Sequence, residues 1–144
     1  MRIHASCAAR LGPNGYDAVL FIGPSGAGKS DMLLRLIHAG WALVADDQVL
    51  IEQGIASAPT ELAGMLEVRG LGLFRLPFLK SASLRMVVRL AVPTERLPHP
   101  EQDNALGLPV ISVDAGNISA VERVSISLDA ACGRILQMAG AFAM

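Results

Sequence analysis

Residues 18–30, AVLFIGPSGAGKS, decide the fold of this chain, because they join an apolar run to a glycine-rich loop and the start of a helix. The run at 18–22 is continuously apolar, as in a strand buried on both faces. After the loop, apolar residues recur at helical spacing, and Gly40 is placed to end the helix. Residues 41–45 form a second apolar run. The stretch therefore predicts a compact β-loop-α-β crossover.

The glycine loop, residues 23–30, has the sequence GPSGAGKS and matches the pattern G-x-x-x-x-G-K-[ST] of phosphate-binding loops. Glycines let backbone N–H groups converge on phosphate oxygens, and the following helix adds the positive end of its dipole. Lys29 supplies a mobile positive charge, and the Ser30 hydroxyl suits Mg²⁺ on a triphosphate. We therefore expect the whole loop to bind ATP with magnesium. Its members are Gly23, Pro24, Ser25, Gly26, Ala27, Gly28, Lys29 and Ser30.

Length and composition favour one soluble α/β domain over residues 1–144, with no separate amino-terminal domain. The sequence is 52% hydrophobic and only 17% charged, an apolar excess that favours a homo-oligomer. No apolar run is long enough to span a membrane and no secretory signal is present, so we expect a cytoplasmic protein. A formal charge of −1 without a Lys/Arg cluster excludes a nucleic-acid surface.

Outside the crossover the pattern predicts mostly strands. Residues 2–9 alternate, which predicts a strand whose polar side carries His4 and Ser6. Pro13, Asn14 and Gly15 predict a turn into the next strand. The remaining expected elements are a hairpin at 48–57, an irregular loop at 93–109, strands at 84–92 and 121–128, and a closing helix from about Asp129.

Two adjacent acids, Asp46 and Asp47, end the second apolar run and resemble the magnesium-holding strand of phosphate-loop enzymes. Successive side chains of an extended chain point to opposite faces, so both carboxylates should not serve one ion directly. We expect a division in which one acid lies near Mg²⁺ and the other faces an acceptor hydroxyl.

A third motif, LEVRGLGLF at 66–74, places charged residues inside an apolar, strand-like run. Such charges cost free energy unless they are paired or functional. Glu67 and Arg69 lie two residues apart and so share one face of a strand. Glu67 could there reach the metal, and Arg69 the phosphates or an acid.

With His4 upstream, the motifs GPSGAGKS, LVADD and LEVRGLGL occur in an order that resembles the catalytic domain of HPr kinase/phosphorylase. The resemblance covers most of residues 1–115. Within the family, the chain resembles the short proteins of alphaproteobacteria. It implies an ATP-dependent kinase acting on a serine of HPr, the phosphocarrier of bacterial phosphotransferase systems, and thereby regulating carbon or nitrogen metabolism. The reaction would reverse by phosphorolysis with pyrophosphate. The implied fold is a P-loop kinase with a mixed β-sheet, similar to the nucleotide domain of phosphoenolpyruvate carboxykinases.

The resemblance also implies roles for single residues. Asp46 matches the general base toward the serine hydroxyl, which becomes the general acid in the reverse reaction, and His4 assists it. Ser30, Asp47 and Glu67 match the groups that serve the metal. Lys29 and Arg69 are the expected basic members of the catalytic set. The segment 111–124, ISVDAGNISAVERV, lacks the family's usual basic residue near the phosphate and leaves only Arg123 as a displaced candidate.

Two alternatives remain open from the residues. A small-molecule kinase could use residues 93–109 as a lid, with Arg96 and His99 toward its substrate. A nucleotide-sensing module without catalysis could bind partners through the apolar carboxyl-terminal segment. The sequence has no N-K-x-D motif of guanine-specific GTPases and no L-S-G-G-Q motif of transporter ATPases.

Overall fold

A computed structural model describes residues 1–143 as a mixed α/β fold. Its helices are α1 (Lys29–His38) and α2 (Ala120–Ala131), with a short 3₁₀ turn at Thr60–Leu62. Its strands are β1 (Arg2–His4), β2 (Ser6–Gly12), β3 (Gly15–Ile22), β4 (Ala42–Ala45), β5 (Gln48–Glu52), β6 (Ile55–Ser57), β7 (Met65–Val68), β8 (Gly72–Arg75), β9 (Ala82–Leu90), β10 (Gln102–Asp103) and β11 (Leu108–Val113).

The main sheet is mixed and mostly antiparallel. Its path runs β1-β5-β6-β9-β3-β2-β4. β11 pairs with β9 on the same edge as β6, but nearer the carboxyl end of β9, and β10 pairs with β11. Among the strands of residues 1–143, only β3 with β9 and β9 with β11 pair in parallel. β4 runs parallel to β3 with β2 between them, so the predicted β-loop-α-β crossover is confirmed. β7 and β8 form a separate hairpin.

β3 lies at the centre because it is buried on both faces. Val19 and Phe21 pack into a core with α1 and α2, whereas Ala18 and Leu20 pack into a second core on the opposite face. Helix α1 contributes Met32, among others, to the first core. Burial on both faces accounts for the continuous apolar run in the sequence.

Several expected elements are confirmed, among them the hairpin of β2 and β3, helix α1 and the hairpin of β5 and β6. The strand expected at 2–9 is divided at Ala5 into β1 and β2, which pair with different partners. The irregular loop expected at 93–109 contains β10 and the start of β11, which Pro109 had concealed.

The strand expected at 121–128 is wrong, because helix α2 occupies residues 120–131. Its buried residues Ala120, Val124 and Leu128 recur every four positions, which is helical spacing. The β-branched residues between them favour a strand, which explains the wrong prediction. The closing helix expected from about Asp129 is also wrong, since α2 ends at Ala131 and the following residues form turns and bends.

A buried charge cluster ties the carboxyl-terminal segment to the sheet. Asp17 of β3 is 4% exposed and accepts hydrogen bonds from Arg134 and, at 2.9 Å, from Arg85 Nε. Beside it, Arg10 pairs with Asp129 of α2. Burial alone would raise the pKa of Asp17, but the bonds from Arg134 and Arg85 outweigh it and leave that pKa below its ordinary value of 3.8. Among residues 1–143, no helix is long and apolar enough to cross a membrane.

We predict that Asp17→Asn lowers the free energy of unfolding by about 1–3 kcal/mol at neutral pH, because it removes the charge that two arginines share. A lowered folded-state pKa contributes stability that is fully present above the ordinary carboxyl pKa and is lost as pH falls through the lowered value. Urea unfolding from pH 7 to pH 3 should therefore show wild type and variant converging in acid. A constant difference across this range would contradict the prediction.

Candidate active site

A cavity of about 390 Å³ opens where the ends of several elements meet. The glycine loop forms one wall, and the end of β4 with the junction of β1 and β2 forms another. The β7 hairpin contributes a third. Every motif singled out in the sequence therefore reaches one cavity. Its polar lining includes His4, Ser6, Lys29, Ser30, Asp46, Asp47, Glu67 and Arg69.

The glycine loop connects the buried end of β3 to the first turn of α1. Gly28 has φ +98°, a left-handed conformation that favours glycine, and a Cβ there would lie 3.3 Å from the Cβ of Ala115. Lys29 is 8% exposed, and its Nζ donates to the carbonyl oxygens of Gly23 at 2.6 Å and Pro24 at 3.1 Å. The Lys29 side chain is thus bonded to the backbone of its own loop.

Asp46 is 7% exposed and is held by two serines. Ser30 Oγ donates to its carboxylate, at 2.8 Å from Oδ2 and 3.0 Å from Oδ1. Ser6 Oγ donates to Oδ1 at 2.6 Å. A buried carboxylate beside the hydroxyl of the helix start offers the hard oxygen ligands that Mg²⁺ prefers.

Asp47 lies at the centre of a tight turn between β4 and β5. The backbone N–H of Gln48 donates to the carbonyl of Asp46 at 2.8 Å, and Asp47 has φ +70°, which is uncommon for a non-glycine residue. The N–H of Ala5 donates to the carbonyl of Asp47 at 3.2 Å and anchors this turn. The Asp47 side chain is 67% exposed, and its Oδ1 lies 3.0 Å from His4 Nε2.

The two carboxylates thus have different surroundings, as the sequence had led us to expect. The hydrogen-bond partners of the two acids, however, are exchanged relative to the roles that the resemblance implies. Asp46, expected as the base beside His4, bonds to Ser30, whereas Asp47, expected near the metal, bonds to His4. The kink at Asp47 causes this arrangement, because it ends the extended chain between the two acids.

Glu67 and Arg69 line the same cavity as the acids, and both are exposed. Glu67 belongs to β7, but Arg69 is the first residue of the following turn, so the two do not share a strand face as expected. Within residues 1–143 neither forms an ion pair, and no group of three His, Cys, Asp or Glu side chains is arranged to hold a metal ion. The metal set of Ser30, Asp47 and Glu67 stays a prediction.

Ser6 is a site residue that the sequence analysis missed. It is fully buried, although the alternation of residues 2–9 placed it on the polar side of a strand. The available signal was its position two residues after His4, which in a strand puts both side chains on one face. A serine inside the apolar run of β2 therefore marks a buried acceptor nearby.

Comparison with known proteins gives one family over most of the chain. Residues 15–128 match the model of the HPr Serine kinase C-terminal domain. The HPr kinase/phosphorylase of Aromatoleum aromaticum is 35% identical in an alignment that covers 85% of this chain and 45% of that protein. The HPr kinase/phosphorylase of Clostridium tetani is 36% identical in an alignment that covers 69% of this chain and 35% of that protein. The chain thus spans less than half the length of these curated relatives.

The fold also matches a solved structure, that of the Hpr(Ser) kinase/phosphatase from Coxiella burnetii. The TM-score is 0.70 at 20% sequence identity, and the match covers 93% of this chain and 96% of that one. At this identity the likeness shows the fold alone. The mixed α/β architecture expected from the sequence is confirmed.

We predict that Ser6→Ala lowers the free energy of unfolding by about 1 kcal/mol, because the Asp46 carboxylate loses its shortest hydrogen bond inside a buried site. Ser83→Ala is the matched control, since Ser83 is partly buried in β9 and its hydroxyl makes no hydrogen bond within the described residues. Urea unfolding would measure both variants. Equal losses in the two would show that the Ser6 hydroxyl contributes nothing specific.

Proposed function

Because the chain belongs to the HPr Serine kinase C-terminal domain family, we propose that it is a magnesium- and ATP-dependent serine kinase acting on an HPr-type phosphocarrier. We also propose that it catalyses the reverse phosphorolysis with pyrophosphate. The observation that best supports this proposal is that two groups of residues line one cavity. The glycine loop would be the phosphate-donor site, and an exposed acid bonded to a histidine would be the acceptor site.

We propose that the donor site binds the triphosphate as a P-loop, in the manner of phosphoenolpyruvate carboxykinases. Backbone N–H groups of residues 23–30 and the start of α1 would face the phosphate oxygens. Lys29 would turn from its carbonyl partners toward the transferring phosphoryl group. Ser30 and Asp46 fit Mg²⁺, which when bound neutralises charge on the β- and γ-phosphates.

We assign the acceptor site to Asp47, which reverses the division of acids that the resemblance implies. Asp47 is exposed to an incoming hydroxyl, whereas Asp46 is buried against Ser30. In phosphorylation, Asp47 would take the proton of the serine hydroxyl, and in the reverse reaction it would return that proton. His4 bonds to the Asp47 carboxylate and so orients it. Glu67 and Arg69 line the same cavity, where Glu67 would support the metal and Arg69 the transferring phosphoryl group.

Exposed apolar side chains of the carboxyl-terminal segment support the homo-oligomer proposed from composition. Ile126, Leu136 and Met138 are 59%, 82% and 85% exposed in the single chain. Covering such a surface by a second copy would remove apolar area from water. We place the reaction in the cytoplasm, as the sequence analysis proposes.

The acid assignment predicts two different defects when the chain is incubated with ATP, Mg²⁺ and an HPr-type protein. Asp47→Asn should lower the rate of serine phosphorylation by about 10²–10⁴-fold, the usual contribution of a general base, with little change in the Mg²⁺ concentration needed. Asp46→Asn should raise the Mg²⁺ concentration that gives half-maximal rate. Phosphoserine formation at a series of Mg²⁺ concentrations would measure both.

The outcome with the two defects exchanged would restore Asp46 as base and Asp47 as metal ligand. Absence of phosphoserine with the wild-type chain, together with ATP consumption on addition of a small hydroxyl compound, would favour the small-molecule kinase. Tight ATP binding without turnover of any acceptor would favour the sensing module.

A further inference from the structure

The parallel strands of the sheet place three connecting loops at one edge. Register pairs Ile22 of β3 with Arg89 of β9, and Leu90 of β9 with Val113 of β11, so these strands end side by side. The glycine loop, the segment from residue 91 and the segment 114–117 therefore leave the sheet together. In open α/β sheets, ligands bind outside the carboxyl ends of the parallel strands.

A second cavity, of about 370 Å³, lies at this edge on the β11 side of the glycine loop. The segment 114–117 stands between the two cavities. Ala115 packs against Gly28 of the loop, and its carbonyl accepts a hydrogen bond from Arg35 Nη1 of α1 at 2.7 Å. The cavity is thus attached to the phosphate loop through a fixed contact, and its volume falls in the range of small-molecule sites, roughly 300–1,000 Å³.

The charges in this second cavity do not suit a polyanion. Its charged lining residues are Glu95, Arg96, Asp114 and Arg123, two of each sign. The first cavity also contains carboxylates, but it alone of the two is lined by the glycine loop, whose backbone N–H groups and Lys29 suit phosphate oxygens. A ligand that reaches both would therefore place its phosphates in the first cavity and an uncharged moiety in the second.

The rest of the lining suits a flat ring that carries hydrogen-bonding atoms at its edge. Leu97 and Phe142 supply apolar surface, and an aromatic side chain can stack on a base. Asn117 and Gln137 each accept backbone hydrogen bonds through their side-chain oxygens, at 2.9 Å from Ser119 N and 2.6 Å from Phe142 N. Neither amide nitrogen donates a hydrogen bond within the described residues, so both are available to acceptor atoms of a ring edge.

We propose that this second cavity holds the nucleoside of the nucleotide whose phosphates the glycine loop binds. The inference rests on the proposed function and extends it to the base and ribose, for which the sequence motifs provide no site. The carboxyl-terminal segment, through Gln137 and Phe142, is then part of the nucleotide site. The Asp17–Arg134 pair holds the start of that segment on the sheet.

The test compares ADP with inorganic pyrophosphate, each titrated into the full chain with Mg²⁺ by calorimetry. Ser127→Leu places a larger side chain into the cavity from α2 and should weaken ADP binding by about tenfold or more, equivalent to about 1.4 kcal/mol. Pyrophosphate binding should not change. Ser125→Leu is the matched control, because Ser125 lies on the same helix but does not line the cavity. Phe142→Ala should weaken ADP binding selectively as well.

Unchanged ADP affinity in both Ser127→Leu and Phe142→Ala, with pyrophosphate still bound, would overturn the nucleoside site and leave the proposed function standing. An equal loss for ADP and pyrophosphate would also overturn it, because the substitution would then act on the phosphate loop. If the wild-type chain bound neither ligand, the proposed function would fail and this site with it. Circular dichroism of each variant confirms that the fold is retained.

Discussion

The burial of β3 on both faces is the constraint on which the rest of the structure depends. Its side chains alternate between two cores, so neither face can receive a ligand, and its hydrogen-bonding edges are taken by β2 and β9. Its carboxyl end, at Ile22, leads into the glycine loop that lines the first cavity. This connection holds the loop, which is the proposed phosphate site, in a rigid frame while leaving it accessible.

Much of this frame could be predicted from the sequence, because β3, the loop and α1 combine a continuous apolar run, a glycine pattern and helical spacing without conflict. Helix α2 could not, since its β-branched residues favour a strand locally and only packing against the sheet selects the helix. Strand β11 was concealed by Pro109, which lacks a donor for the ladder but is tolerated at the edge where β10 pairs.

The candidate site shows the same limit at the level of single side chains. The sequence predicts different directions for Asp46 and Asp47 by treating them as part of an extended chain, but the backbone turns at Asp47, and this turn determines which acid meets the helix start. The positive φ of Asp47 belongs to a local turn, and the bond from the N–H of Ala5, which is distant in the chain, anchors that turn. Ser6 was missed for a related reason, because the significance of a buried hydroxyl depends on a partner forty residues away.

The bonds of Lys29 have a consequence for the selectivity of the glycine loop. Its ammonium group is already satisfied by two carbonyl oxygens, so an anion that enters must replace those bonds rather than find an unpaired charge. Replacement gains little for a weak, singly charged anion, since the lysine exchanges one set of acceptors for another of similar strength. A ligand with several charged oxygens can offset the loss through the surrounding N–H groups at the same time. Under the proposed function, we therefore expect the loop to discriminate against chloride and other simple anions and to favour a ligand with several charged oxygens, such as a polyphosphate chain.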